Sequence, residues 1–349
     1  MGRERELPLR AGGANDDAHD LNRLLASNQS VALEPKTYNV ASKIVIPDGK
    51  SLVGVPGKTV IRGTLGFNIL FPGSNSTVSG ITVDGAFENN DRKGGSGIVL
   101  DRANGVHLER VVVRNISYQG IALVRSNNNI ISNCMAQNCG HRGINVSEDS
   151  SNNSITGFRA TDCWRAGVLL GYHSNHNTVS DFYVDGFRQS VGGAGLWVHM
   201  NSDYNTFSNF TIGPEKSGDS TCPSILLGSG CVGNLFEHGK LTGVGRRGIY
   251  IWNENVDHVK DLHTINGALQ NNRFLDIKIE GTGLPRSYGI GFKSDNGQKI
   301  GPNEFDNITI SGFAVGVEDI DAHAKGLSFR NLHFGKIGAE KMHLFNPPR

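Results

Sequence analysis

Two short segments, GLWVHM at 195–200 and GIYIWN at 248–253, each follow a Gly with large rings or an imidazole at alternate positions. Successive side chains of an extended strand point to opposite faces, so Trp197 and His199 share one face, as do Tyr250 and Trp252. Lys293 in GIGFKS stands where Trp252 does, Arg142 and Arg247 immediately precede a Gly of the same kind, and Arg165 and Arg246 lie one residue earlier. Guanidinium groups beside aromatic faces suit a ligand that carries both carboxylates and sugar rings. These are the groups that β-elimination from a uronate requires: a cation to neutralise the carboxylate and stabilise an enolate-like intermediate, a base for the C5 proton, and an acid for the leaving oxygen. Arg247 or Arg142 fits the first role, His199 or Lys293 the second, and Tyr250 the third. Trp197 and Trp252 would hold sugar rings by stacking, with Tyr172, His173, Arg142, Asn145 and Glu254 completing the expected substrate-binding set.

Such a face exists only if distant segments are stacked in register, and the sequence carries the repeat that would stack them. The pattern N-x-[IVLF]-x-[NDG]-apolar-x-apolar fits NIISNCMA, NSITGFRA, NTVSDFYV, NTFSNFTI, NRFLDIKI and NEFDNITI, and more loosely four other segments. Its third position falls at Val78, Leu108, Ile131, Ile155, Val179, Phe207, Phe236, Phe274, Phe305 and Phe329, at steps of 23 or 24 residues in the compact repeats. A second marker, Gly followed by an apolar residue, alternates with it at Gly97, Gly120, Gly143, Gly167, Gly195, Gly248, Gly289 and Gly316, with Ser224 in the remaining slot. Each period therefore holds at least two short strands and tight turns, with no room for a helix of ordinary length. This predicts an all-β chain, a single-stranded right-handed parallel β-helix of about ten coils and roughly 50 Å in length at ~4.8 Å per coil. Asn129, Asn153, Asn177, Asn205, Asn234, Asn272 and Asn303 would form a turn-stabilising ladder. Residues 1–30 are expected as an arm and capping helix, 31–335 as coils, and 336–349 as a C-terminal cap, all in one domain. The helix is placed at 15–27, with Asp16 or Asp17 as N-cap and Leu21, Leu24 and Leu25 on one face.

If the residue after each Gly points inward, the outward columns are Gly+2, running Ala122, Asn145, Leu169, Trp197, Leu226, Tyr250, Gly291, and Gly+4, running Val124, Ser147, Gly171, His199, Gly228, Trp252, Lys293. The repeat lengthens beside these columns in DGFRQSVGGA, GPEKSGDSTCP, EGTGLPRSY and ENVDHVKDLHTINGALQ, loops expected to wall a cleft. The rings could instead pack beneath those loops, and His199 could be a surface residue bonded to one of them.

Bulk composition sets outer limits. With 349 residues, 37% hydrophobic and 19% charged, the chain can bury a large core, and 46 Gly suit a fold of many turns. A formal charge of +1 supplies no bulk field for nucleic acid or an anionic membrane, and no apolar run reaches the length of a membrane span. Five Cys without a CxxC pair argue against a disulfide scaffold or zinc knuckle. Cys139 and Cys163 read as a buried pair on adjacent coils or a disulfide, and Cys222 and Cys231 could pair across a loop. No metal ligand set is expected, and no compact Asp/Glu cluster calls for Ca²⁺. The start, MGRERELPLR, lacks the apolar stretch of a signal peptide, which with the odd Cys count favours a cytoplasmic chain over a secreted one.

GGANDDAHDLNRLLA and VALEPKTYNVASKIVIPDGKSLVGV resemble the opening of the pectate-lyase superfamily, with its acidic pair before a short helix. GITVDGAFENNDRKGGSGIVLDRANGVHLERVVVRNISYQGIAL is similar to the matching stretch of the catalytic module of mannuronan C5-epimerases. The resemblance spans most of residues 10–200 and implies a parallel β-helix and a carbohydrate substrate. The epimerases' Y-G-F-D-P-H-E strand corresponds to YQGIALVRS at 118–126, where Tyr118 is retained and Ala122 and Val124 replace the acid and the imidazole; Lys93 aligns with a family lysine. The reading is thus a lyase or epimerase acting on a uronate-containing polysaccharide or oligosaccharide. The alternatives are a glycoside hydrolase of the same fold, an intracellular elimination, isomerisation or cyclisation enzyme with a small-molecule substrate, and a non-catalytic carbohydrate-binding spike or adhesin. The oligomeric state is left open.

Overall fold

The computed structural model describes residues 16–63, 66–86, 94–188, 193–216, 221–254, 267–295, 298–321, 324–337 and the backbone of 342–343. The chain winds as a parallel β-helix, because each period of the repeat pairs in parallel with the next. Val78 sits against Leu108, Leu108 against Ile131, and so on through Phe305 against Phe329, as the column of markers requires. Two earlier rungs, Val31 and Leu52, extend the column ahead of Val78. From Phe207 onward it is a stack of rings with centroids 4.6 to 4.9 Å apart. One core of buried residues runs continuously from Ala18 to Val317.

The [NDG] position of the repeat has a conformational cause. The residue two past each marker turns the chain between two strand arms with positive φ, as at Asn133 (53°), Asp181 (53°), Asn209 (54°), Asp276 (54°) and Asn307 (54°). Asn, Asp and Gly tolerate this left-handed region best. Both arms lie in a 19-stranded sheet, and in the C-terminal coils they fuse into single bent strands such as Leu235–Val244 and Arg273–Gly281. The opposite face is a 12-stranded sheet that carries the candidate residues.

The Asn ladder is complete. Each Nδ2 donates to the next Oδ1, at 2.8 Å from Asn129 to Asn153, 2.9 Å from Asn153 to Asn177, and 3.0 Å for the later rungs up to Asn303. From Asn153 onward each Oδ1 also accepts from the backbone N–H of the preceding Asn, and Asn129 Oδ1 accepts from that of Val106. The capping helix forms at Ala18–Ser27, later than 15–27, and buries Leu21 and Leu25 with Leu24 half-buried. Asp17 holds the N-cap position without a side-chain cap; its carboxylate accepts from the Asn39 N–H at 2.7 Å, while Asp16 receives the N–H groups of Ala18 and Ala41. Both acids therefore clamp the helix onto the first coil. All five Cys are free and buried, so neither expected pair is a disulfide. At the far end, Met342–His343 adds a strand to Val317–Glu318; the rest of the expected cap lies outside the described residues.

Candidate active site

The marker Gly makes the site face possible. A Cβ on Gly143 would lie 2.6 Å from the Gly167 carbonyl oxygen and 2.9 Å from the Ala160 Cβ, so this position turns toward the core together with the apolar residue that follows. Two successive inward positions form a local bulge, and both Gly−1 and Gly+2 emerge on the outside. Register places Arg142 level with Ala166 and Ala194, and Asn145 level with Leu169, Trp197, Leu226 and Tyr250. Cations at Gly−1 consequently lie beside rings and amides at Gly+2. The strands end in paired left-handed residues, Glu148–Asp149, Tyr172–His173, Met200–Asn201 and Ser229–Gly230, which turn Tyr172 and His173 over the face.

One group of side chains centres on His199. Its imidazole occupies the space that Gly171 leaves in the preceding coil, where a Cβ would lie 2.5 Å from Nε2. His199 is 5% exposed, and its Nε2 meets no hydrogen-bonding partner among the described residues. The ring lies 4.6 Å from Trp197 and 5.3 Å edge-on from Tyr172. Burial first, then Arg142 and Arg165, hold its proton affinity well below that of an ordinary imidazole, so it is neutral at pH 7. Arg142, 9% exposed, donates to Asn145 Oδ1 at 2.8 Å, and Asn145 donates to Ser147 Oγ at 2.9 Å. No carboxylate among the described residues pairs with Arg142, and burial together with Arg165 lowers its pKa to about 10. Arg165 lies 5.0 Å over the Trp197 ring and meets His141 Nε2 at 3.2 Å; Tyr118 stacks on His141 at 4.7 Å.

A second group lies further along the same face. Arg247 sits 4.7 Å over the Tyr250 ring and 6.0 Å over Tyr288, which covers Gly291. Burial raises the pKa of Tyr250 well above that of an ordinary phenol, against the opposing pull of Arg247. Trp252 Nε1 donates to Asp295 at 3.0 Å, and Lys293 pairs with the other oxygen of that carboxylate at 2.9 Å while lying 4.8 Å over the Trp252 ring. Glu254 follows, its N–H bonded to the Trp252 carbonyl at 3.2 Å, and its charge acts on Arg165 of the first group as well as on Tyr250.

The expected residues thus share one face in two groups, Arg142, Asn145, Tyr172, Trp197 and His199 in the first, and Arg247, Tyr250, Trp252 and Lys293 in the second, with Glu254 acting on both Arg165 and Tyr250. His173 turns out beside Tyr172 at the end of the strand, toward Asp203 of the next coil. Trp197 is only 7% exposed, and Trp197 and Trp252, where sugar stacking was expected, each carry a cation of the chain itself on one face, as does Tyr250. Of the expected loops, 189–192, 217–220 and 255–266 lie outside the described residues, as does Lys93. Sequence reasoning did not place His141 and Tyr288 in the site; Tyr288 could have been found, since it occupies the same Gly−1 slot as Arg142 and Arg247. Among the described residues no group of three or more His, Cys, Asp or Glu could hold a metal ion, and no helix is long and apolar enough to cross a membrane.

Comparison with solved structures finds this architecture in proteins of several activities. The catalytic domain of a family 87 α-1,3-glucanase in complex with nigerose superposes with a TM-score of 0.75 at 15% identity, over 97% of this chain and 67% of that one. PfbA, a surface adhesin of Streptococcus pneumoniae, superposes with a TM-score of 0.70 at 11% identity, over 93% of this chain and 88% of that one. A mutant of the periplasmic alginate epimerase AlgG does so with a TM-score of 0.60 at 9% identity, over 88% and 84%. At these identities the likeness is one of fold. A sequence comparison with curated proteins finds no match. The family described as "Right handed beta helix region" matches residues 67–257, more than half of the 349. The chain belongs to the right-handed β-helix family.

Proposed function

We propose that the protein is a lyase or epimerase acting on a uronate-containing oligosaccharide or polysaccharide, with its chemistry at the His199 group. The observation that carries this reading is Arg142, a buried guanidinium without a carboxylate partner, beside a buried His199 whose Nε2 has no hydrogen-bonding partner, both among the described residues. Burying an unpaired charge beside a second guanidinium opposes folding, so a feature of this kind is best explained by an anionic ligand. A uronate carboxylate meeting Arg142 and Arg165 supplies that anion, and the same contact draws charge out of an enolate-like intermediate. It also weakens the positive field that disfavours protonation of His199, so bound substrate raises the basicity of Nε2 as this atom takes the C5 proton. Tyr172, in ring contact with His199, serves as the acid for the leaving oxygen, because Tyr250 stands two coil steps from Trp197, about 10 Å away. Arg247, Tyr250 and Trp252 then bind neighbouring sugar residues, and Lys293 acts on Trp252 through Asp295. The solenoid is shared with a glucanase bound to nigerose and with an alginate epimerase, a likeness of fold that is compatible with a carbohydrate ligand.

The test is incubation with polyuronates, following the ultraviolet absorbance of an unsaturated product and, in D₂O, deuterium entry at C5. Product or exchange is expected from the native protein, with a loss of about 10²-fold or more in Arg142→Ala and His199→Ala. Neither signal from native protein, or full activity in both variants, removes the reading. Glycoside hydrolysis is the second reading, because Glu254, Asp295 and Asp321 all act on Tyr250; new reducing ends without unsaturated product would favour it. Tight binding without any product would favour the adhesin-like alternative.

A further inference from the structure

The outer face that carries His199 has a concavity far from that residue, a cleft of about 610 Å³ over the first coils. Phe71 lies in its floor, level with Val45 on one side; its neighbour Leu70 pairs with Ile98, which sets Phe71 in the column of Val99, Ala122 and Asn145. Three coil steps, about 14 Å, separate Phe71 from Asn145. Phe67 and Phe71 are half-buried, and the exposed Lys43 holds its Nζ 5.5 Å from the Phe71 ring centre with no carboxylate partner among the described residues. Asn68 accepts the Ser96 N–H at 2.6 Å through Oδ1, and its Nδ2 has no partner among the described residues. The wall is backbone rather than side chain. Gly95 packs directly on the Phe67 carbonyl, and Gly66 has φ 105° with open space where a Cβ would stand.

Two ring faces, one ammonium and one free amide donor fit a sugar ring bearing an anionic group. We propose that this cleft is a distal subsite for an acidic sugar residue of the same chain whose reacting uronate is held at Arg142 and Arg165. The sugar ring lies against Phe67 and Phe71, its carboxylate meets Lys43, and a hydroxyl accepts from Asn68 Nδ2. The assignment rests on the uronate reading of the His199 group, and it is tested by binding so that the two can fail separately.

The probes are oligogalacturonates and oligomannuronates, a disaccharide too short to reach from Arg142 to Phe71 and an octasaccharide long enough to do so. Titration calorimetry uses His199→Ala to block turnover, alone and combined with Lys43→Ala or Phe71→Ala. The octasaccharide is expected to weaken by about tenfold or more in either combination while the disaccharide is unaffected. Lys43 is exposed, so Lys43→Ala should also keep the melting temperature of its parent. Unchanged octasaccharide affinity in both combinations, or no octasaccharide binding by the parent, overturns the subsite. Length-dependent binding in a protein that turns over neither polymer supports the subsite and overturns the lyase reading instead.

Discussion

His199 connects the chemistry of the site to the stability of the fold. The groups that face it are Arg142, Arg165, Tyr172 and Trp197, with Gly171 beneath, and none of them is an acid that would favour its charged form. In the unfolded chain the imidazole takes a proton near 6.5, whereas in the folded chain burial and the two guanidinium groups oppose protonation far below that value. Above 6.5 both states are neutral and the stability is fully present. As the pH falls below 6.5 the unfolded chain binds a proton that the folded chain refuses, and stability is lost by up to about 1.4 kcal/mol per pH unit until the folded value is reached. The melting temperature should therefore drop between neutrality and about pH 5, and His199→Gln should remove part of that drop. Melting curves of the two proteins over this range decide the point, because the two differ at no other histidine. A gap between the two that stays constant with pH would show that His199 is not held neutral. The same property suits a base, which must be deprotonated before substrate arrives.

The elements that present these residues are held by two longitudinal systems, the apolar marker column and the Asn ladder. Asn205 is typical of the ladder. Its Oδ1 accepts from Asn177 N and Nδ2, its Nδ2 donates to Asn234 Oδ1 and the Ser174 carbonyl, and it is fully buried. Asn205→Ala strands polar groups on both neighbouring turns, Ser174 and Asn177 before it and Asn234 after it, each costing about 1–3 kcal/mol when buried without a partner. A loss of roughly 3 kcal/mol or more is expected in denaturant unfolding, and a loss below about 1 kcal/mol would mean the ladder is incidental. Both systems were legible in the sequence because each depends on one residue type recurring at one phase of the repeat, and such recurrence survives translation into columns. The site was legible only as far as strand alternation reaches. Register put Trp197, His199, Tyr250 and Trp252 on a common face, but the Arg and Lys side chains that cover three of those rings reach across by several rotatable bonds. Where a long flexible cation comes to rest depends on the space left by neighbours, such as the Gly at 291 that admits Tyr288 beneath Arg247. Spacing along one strand does not encode that. The paired left-handed turns that swing Tyr172 over His199 were hidden for a similar reason, since Tyr and His carry no signature of positive φ.

At the scale of the whole molecule, a solenoid is stabilised coil by coil, each coil contacting only its neighbours, so stability need not be uniform along the rod. The central coils are closed on both sides, and all five thiols, Cys134, Cys139, Cys163, Cys222 and Cys231, are buried within them. Burial pushes the Cys134 thiol up to about 12 and raises Cys231 as well, while the hydrogen bond with Cys163, and then burial, raise Cys139. Even a briefly exposed sulfur there would have to lose a proton before it could react. The last long strand, Ser328–Phe334, has no fully buried side chain, and Phe334 is 40% exposed. Fewer apolar contacts hold that end, so it should open at lower denaturant than the centre. Native protein is accordingly expected to show no reaction with a thiol reagent, and strand signal in circular dichroism should begin to fall with rising urea before any thiol becomes reactive. The thiols should then appear together as the central coils open. Reaction of one or more thiols in native buffer, or thiol exposure that precedes the loss of strand signal, would mean that the central coils open independently of the ends, and the rigid face on which Arg142 and His199 are held in register would lose its physical basis.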